Sequence, residues 1–185
     1  MPGSRRVVIG FVMFLVWAGG CASSSRTADG PPSFEQRKAK YEPHKQQLLA
    51  KFDLSDPRID IEALFSPGVD IDGIVALDDP ARLNVGEASF PNDDGRVIEV
   101  SINGESVAYP LAIMGVHEIA NDTVGGVPIA VTYCPLCDSA SVIERSLPGG
   151  EVTEFGVSGM LYLSNLTMYD RTTRSLWSQD GMKAS

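Results

Sequence analysis

Cys134 and Cys137 stand two residues apart in VPIAVTYCPLCDSASVIER (Val127 to Arg145) and are the only cysteines after residue 21. Two thiols at this spacing can close a small disulfide, exchange with a disulfide elsewhere, or grip one metal ion. Just upstream, His117, Glu118 and Asp122 add an imidazole and two carboxylates in the order His-Glu-x-x-x-Asp. Three chemistries therefore stay open. In the first, Cys134, Cys137 and His117 hold a transition metal, with Asp122 or Glu118 as fourth ligand; soft sulfur plus imidazole suits zinc, copper or iron. In the second, the cysteines are a redox-active dithiol exchanging disulfides with partner proteins. In the third they form a structural disulfide in a non-catalytic binding module, although so short a ring adds little loop-closure stabilisation. No substrate or reaction follows from these residues.

The elements that must position them can be read from pattern. Val127 to Tyr133 is β-branched and aromatic, as a buried strand should be, and Pro135 stops its ladder. Ser139 to Arg145 reads as the next strand, which places the thiols in a turn and not at the start of a long helix, unlike a thioredoxin-type site. Upstream, Pro110 suits the first position of a helix over Leu111 to Ala120, ended by Asn121 and Asp122. On that helix Ile113, Val116, His117 and Ala120 share one face, so the imidazole lies on the apolar side, where a core histidine is as natural as a ligand. A turn-rich link, Asn121 to Gly126, would lead the helix into the cysteine strand. Before it, Asn103-Gly104 between Val97–Ile102 and Glu105–Tyr109 is a strong hairpin signal. After the thiols, Glu151–Val157, Met160–Leu163, Leu166–Tyr169 and Ser175–Trp177 read as consecutive strands, interrupted at Ser158-Gly159. The class is α+β, a mainly antiparallel β core with a few short helices.

Other segments carry weaker chemistry. Ser33 with Gln36 fits a capping box opening Phe34 to Phe52, one or two short helices broken at Pro43, with His44 solvated among lysines. Leu54 to Pro91 is punctuated by Pro and Gly and reads as irregular. Its acids Asp70, Asp72, Asp78 and Asp79 lack EF-hand spacing and read as a solvated loop. Met160, Met168 and Met182 read as core filler, not a copper site. Neither a phosphate-binding glycine loop nor a Gly-x-Ser-x-Gly elbow occurs.

Length and composition bound the whole. A chain of 185 residues with 43% hydrophobic content supports one proper core. Arg5-Arg6, an apolar run from Val7 to Trp17, and Ala18-Gly19-Gly20-Cys21 form a tripartite signal-peptide layout ending in a lipobox-like triplet, which points to lipidation at Cys21. The organisation expected is a signal peptide over 1–20, a lipidated flexible tether over 21–33, a helical segment over 34–53 and one α+β domain over 54–185. The formal charge is −9, and removing a leader that holds Arg5 and Arg6 makes the chain more acidic still. That disfavours nucleic acid and leaves the lipid as the membrane contact, with the domain facing the periplasm or cell exterior.

Long stretches of the sequence also have a family look. YPLAIMGVHEIANDTVGGVPIAVTYCPLCDSA (Tyr109 to Ala140), FGVSGMLYLSNLTMYDRTTRSLWSQ (Phe155 to Gln179) and the earlier DGIVALDDP (Asp72 to Pro80) closely resemble the bacterial and archaeal proteins grouped as domain of unknown function 3179. The resemblance covers about Gly68 to Gly181. It implies extracytoplasmic proteins, often with a leader or lipid anchor, and no settled activity. Members usually continue past the SLWSQ motif, so the expectation is a domain incomplete at its C-terminal end.

Overall fold

The structure is a computed structural model that describes residues 5–8, 30–147 and 149–180. The lipidation site Cys21, most of the leader and tether, and Met182 lie outside the described residues. The chain forms β1 (Arg5–Val8), α1 (Phe34–Leu49), β2 (Leu64–Phe65), β3 (Leu77–Asp78), β4 (Arg82–Asn84), β5 (Val97–Ile102), β6 (Glu105–Pro110), α2 (Leu111–His117), β7 (Ile119–Val124), β8 (Val127–Cys134), β9 (Ser139–Glu144), β10 (Phe155–Tyr162), β11 (Asn165–Asp170) and β12 (Leu176–Ser178). They build three four-stranded sheets, ordered β4-β1-β6-β5, β12-β11-β10-β2 and β3-β7-β8-β9. Among the described residues the named strands pair in parallel only at β1–β6 and β3–β7, so the fold is the expected α+β type with an antiparallel β core. Strand β1 lies inside the segment read as a leader and pairs with β4 as well as β6.

Strand β8 places the site. Its alternate residues Val131 and Tyr133 pack into one core with Val107, Tyr109 and Met114. Ala130 and Cys134 pack into a second with Ala76, Ile119, Phe155 and Met168. Both faces are covered, which is why the sequence there is nearly continuous in apolar residues. A third core gathers Leu48 and Leu49 of α1 with Leu64, Met160, Tyr169 and Leu176. Met160 and Met168 are core residues, as read from the sequence.

Several local expectations change. Helix α1 is continuous, with Pro43 inside it and a Ser33/Gln36 capping box at its start. Ala39, whose carbonyl has no N–H partner at Pro43, is exposed, so water can replace the lost bond. His44 is not free in solvent: Nε2 donates to Asp70 Oδ1 at 2.9 Å, and Nδ1 lies 2.7 Å from Ser66 Oγ. The acids after it are latched too. Tyr169 Oη donates to Asp72 at 2.6 Å, and Arg171 and Asn121 donate to Asp78.

Helix α2 stops at His117, and the link expected to be a turn is strand β7. Asn121 and Asp122, read as helix-enders, are buried in that strand because tertiary partners meet their hydrogen-bonding needs. Asn121 donates to Asp78 and to the Phe155 carbonyl and accepts from Phe155 N–H. Tyr109 and Arg82 donate to Asp122. Ser158-Gly159 does not end β10; it makes a bulge, with a register shift between Val157 and Met160 and the Ser158 hydroxyl bonded to the Thr167 carbonyl.

The Asn103-Gly104 turn has φ of 48° and 81°, both positive, closing Ile102 onto Glu105 as a type I′ hairpin requires. A Cβ on Gly104 meets nothing within 4 Å, so substitution there tests backbone strain alone. Gly104→Val is expected to cost about 1–3 kcal/mol in chemical denaturation; an unchanged midpoint would argue against this turn.

Candidate thiol site

Cys134 is the last residue of β8 and pairs with Ser139, the first of β9, so Pro135 to Asp138 form the turn between them. Asp138 closes it at φ 52°, a conformation an aspartate tolerates better than a β-branched residue. Its carboxylate accepts from Tyr133 Oη at 2.8 Å and from Arg96 Nη1 at 3.0 Å, and these bonds hold it below the usual carboxylate range. The turn is thus braced by the ladder on both sides and by one side chain folded back on β8.

Both thiols are free, Cys134 buried and Cys137 exposed. Burial pushes the Cys134 thiol up, and a hydrogen bond with Cys137 adds to this; the backbone N–H groups of Cys137, Leu136 and Leu166 oppose it. The Cys137 sulfur lies 3.0 Å from Asn165 Oδ1 and 3.1 Å from Ser139 Oγ. Asn165 Oδ1 also accepts from Leu166 N–H at 2.8 Å, so its oxygen, not its NH2, faces the thiol. Behind them Ser139 Oγ sits 3.1 Å from Gln179 Oε1, and Gln179 Nε2 donates to Thr132 Oγ1 at 3.0 Å. The surroundings of Cys137 are therefore neutral and polar, and Asn165 and Gln179 are buried.

Sequence reasoning did not assign Asn165, Ser139, Gln179 or Thr132 to the site. Ser139 and Asn165 are 26 positions apart and Thr132 and Gln179 are 47 apart, and no local pattern reports such pairs. The one available signal was Gln179 closing the SLWSQ motif.

The structure places Asp122 away from the sulfurs and His117 and Glu118 nearer to them. Among the described residues no three His, Cys, Asp or Glu side chains converge as a metal site. Asp122 pairs with Ile129 on β8, five residues before Cys134, or about 16 Å along the strand. There it joins Arg82, Tyr109 and, through Arg82, Glu105. His117 and Glu118 lie nearer the thiol end of β8, since the Glu118 carbonyl accepts from Tyr133 N–H at 2.8 Å. His117 Nδ1 donates to the Val75 carbonyl at 2.8 Å, while Nε2 is buried without a partner. A cleft of about 430 Å³, lined in part by Phe90, Arg96, Leu111 and Tyr133, opens on the Tyr133 side of β8, opposite the face that Cys134 takes.

Fold and site together define an α+β protein that carries an exposed and a buried thiol on one tight β-turn. The chain belongs to the family described as Protein of unknown function (DUF3179), whose profile matches residues 71–185 and so takes in the thiol turn and both hairpins around it. No curated protein and no solved structure matches the chain.

Glu118 generates a test of its own. It sits half-buried at φ 59°, and burial pushes its carboxyl from 4.5 up to about 7. The folded protein therefore holds a proton that the unfolded chain has released, and stability falls as pH rises between about 4.5 and 7. Glu118→Gln is expected to flatten that slope when melting temperature is followed across the window. An unchanged slope would remove Glu118 as its source.

Proposed function

We propose that this chain is an extracytoplasmic thiol–disulfide exchange protein held to a membrane by a lipid on Cys21. The observation that carries the exchange reading is the asymmetry of the pair: Cys137 is exposed and hydrogen-bonded to a buried Cys134 in neutral polar surroundings. A thiol that meets solvent can be attacked or attack; one buried beside it can only resolve. A closed zinc site needs four donors; among the described residues no three His, Cys, Asp or Glu side chains gather as one, and Asp122 is held by Arg82 and Tyr109 at the other end of β8.

In the reaction the Cys137 thiolate attacks one sulfur of a substrate disulfide, forming a mixed disulfide and releasing the other substrate sulfur as a thiolate. Cys134 then gives its proton to that leaving thiolate or to water and attacks Cys137 Sγ. The Cys134–Cys137 disulfide closes and the second substrate thiol departs, so two electrons pass from the dithiol to the substrate. Ser139 can turn its hydroxyl to donate to the Cys137 sulfur once the thiol proton has left, because its oxygen already lies 3.1 Å away. The backbone N–H groups of Leu136, Cys137 and Leu166 favour the Cys134 thiolate as it forms. Those same donors favour a second reading, two thiolates holding a soft metal such as zinc, copper or iron.

Timed alkylation of the reduced protein separates the two. Under exchange, Cys137 is modified about tenfold or more faster than Cys134, a chelator changes neither rate, and Cys134→Ser accumulates a mixed disulfide through Cys137. Protection of both thiols that a chelator abolishes would establish the metal instead. For the anchor, supported by the Arg5-Arg6, apolar and Ala18-Gly19-Gly20-Cys21 order, Cys21→Ser is expected to move the protein out of the membrane fraction and end incorporation of labelled fatty acid. Wild-type protein recovered soluble with an unmodified Cys21 would refute it.

A further inference from the structure

The two most exposed large apolar side chains among the described residues are Leu163, 72% exposed, and Leu136, 71% exposed. Both lie within two residues of a group at the same thiol. Leu136 precedes Cys137 in the turn. Leu163 sits in the two-residue turn that joins β10 to β11, where Tyr162 pairs with Asn165, and Asn165 Oδ1 is 3.0 Å from Cys137 Sγ. The Leu163 backbone makes this more than a chance exposure. Leu163 and Ser164 have φ of 48° and 70°, the left-handed pair that Asn-Gly fills without strain. A leucine in that conformation is strained, and at this exposure its side chain contributes little burial in return. Neither propensity nor core packing accounts for it, and strained, exposed residues beside a reactive group are commonly binding elements.

We infer that Leu136 and Leu163 form an apolar rim around Cys137 that selects polypeptide cystines flanked by apolar residues over small anionic disulfides. This rests on the exchange reading above and names its substrate class. The rim would cover apolar side chains on either side of a substrate cystine, while the groups behind the thiol, Ser139, Asn165 and Gln179, carry no positive charge to attract a carboxylate. The nearest acid, Asp138, bonds Arg96, and the chain as a whole carries a formal charge of −9, which repels an anionic disulfide such as oxidised glutathione.

The test uses the whole reduced chain against four oxidants: hydroxyethyl disulfide, oxidised glutathione, and two cystine peptides identical except for leucine or serine beside the cysteines. The leucine peptide is expected to react about tenfold faster than the serine peptide, and glutathione slowest. Leu136→Ser and Leu163→Asn should each lower the ratio of the leucine-peptide rate to the hydroxyethyl disulfide rate several-fold. Leu163→Asn should also keep or raise the melting temperature, because asparagine tolerates the left-handed turn. Equal rates for the two peptides, or variants that slow the small neutral disulfide in parallel, would overturn the rim while leaving exchange standing. Failure of the wild type to reduce any of the four would refute the exchange reading and the rim with it.

Discussion

Strand β8 has no face left for water, and the rest of the molecule follows from that. Its odd-numbered residues Val131 and Tyr133 belong to one core and its even-numbered residues Ala130 and Cys134 to another, while β7 and β9 take its two edges. A slip of one residue would exchange the two sets and put a tyrosine where Cys134 packs. Register is therefore fixed by packing along the whole strand, and it is this that aims the Cys134 sulfur toward β11 and the Tyr133 ring toward the opposite cleft. The turn beyond inherits its orientation. Its one ion pair, Arg96–Asp138, has both side chains more than half exposed and screened by water, so the ladder and not the salt bridge holds the thiols.

Beside β8, strand β7 shows how polar residues are carried through an interior. Asp122 is buried with Arg82 and Tyr109 pointing at it, and Arg145 donates to the carbonyls of Asp122, Ile129 and Thr153. Burial and the neighbouring carboxylate push the Tyr109 hydroxyl upward, keeping it a donor. Losing one member of such a network leaves another charged or polar group without a partner, at a cost of about 3–5 kcal/mol. The network ties three elements, β4, β6 and β7, to one another on the far end of β8 from the thiols, and so fixes where β7 and β8 lie without entering their chemistry.

The parts legible in the sequence were those coded by short spacing. Asn103-Gly104 announced its hairpin, Ser33 and Gln36 announced the cap of α1, and Cys134-Pro135-Leu136-Cys137 between two β-rich runs announced a thiol-bearing turn. What stayed hidden depended on partners far along the chain. Asn121 and Asp122 read as turn formers because nothing nearby showed that Phe155, Tyr109 and Arg82 would satisfy them. His44 read as solvated because Ser66 and Asp70 are 22 and 26 residues away. Ser158-Gly159 read as a break because a bulge and a strand end share the same residue types. At the site, the cysteines were found by type and spacing, whereas Asn165 and Gln179 are ordinary amides until β11 and β12 bring them beside Cys137. Of His117, Glu118 and Asp122, closeness in sequence does not show that β7 carries Asp122 away from the thiols along its length.

The pairing of Cys134 with Ser139 across a four-residue turn ties folding to oxidation in a thermodynamic cycle. Whatever free energy a Cys134–Cys137 bond adds to the folded state, the folded state must return by making that bond harder to reduce, and the reverse holds for any strain it introduces. A link closing so short a loop restricts the unfolded chain by about 2 kcal/mol, against almost 5 for a loop of a hundred residues. The oxidised and reduced proteins should therefore differ little in stability, and a thiol pair placed this way can change state without putting the fold at risk.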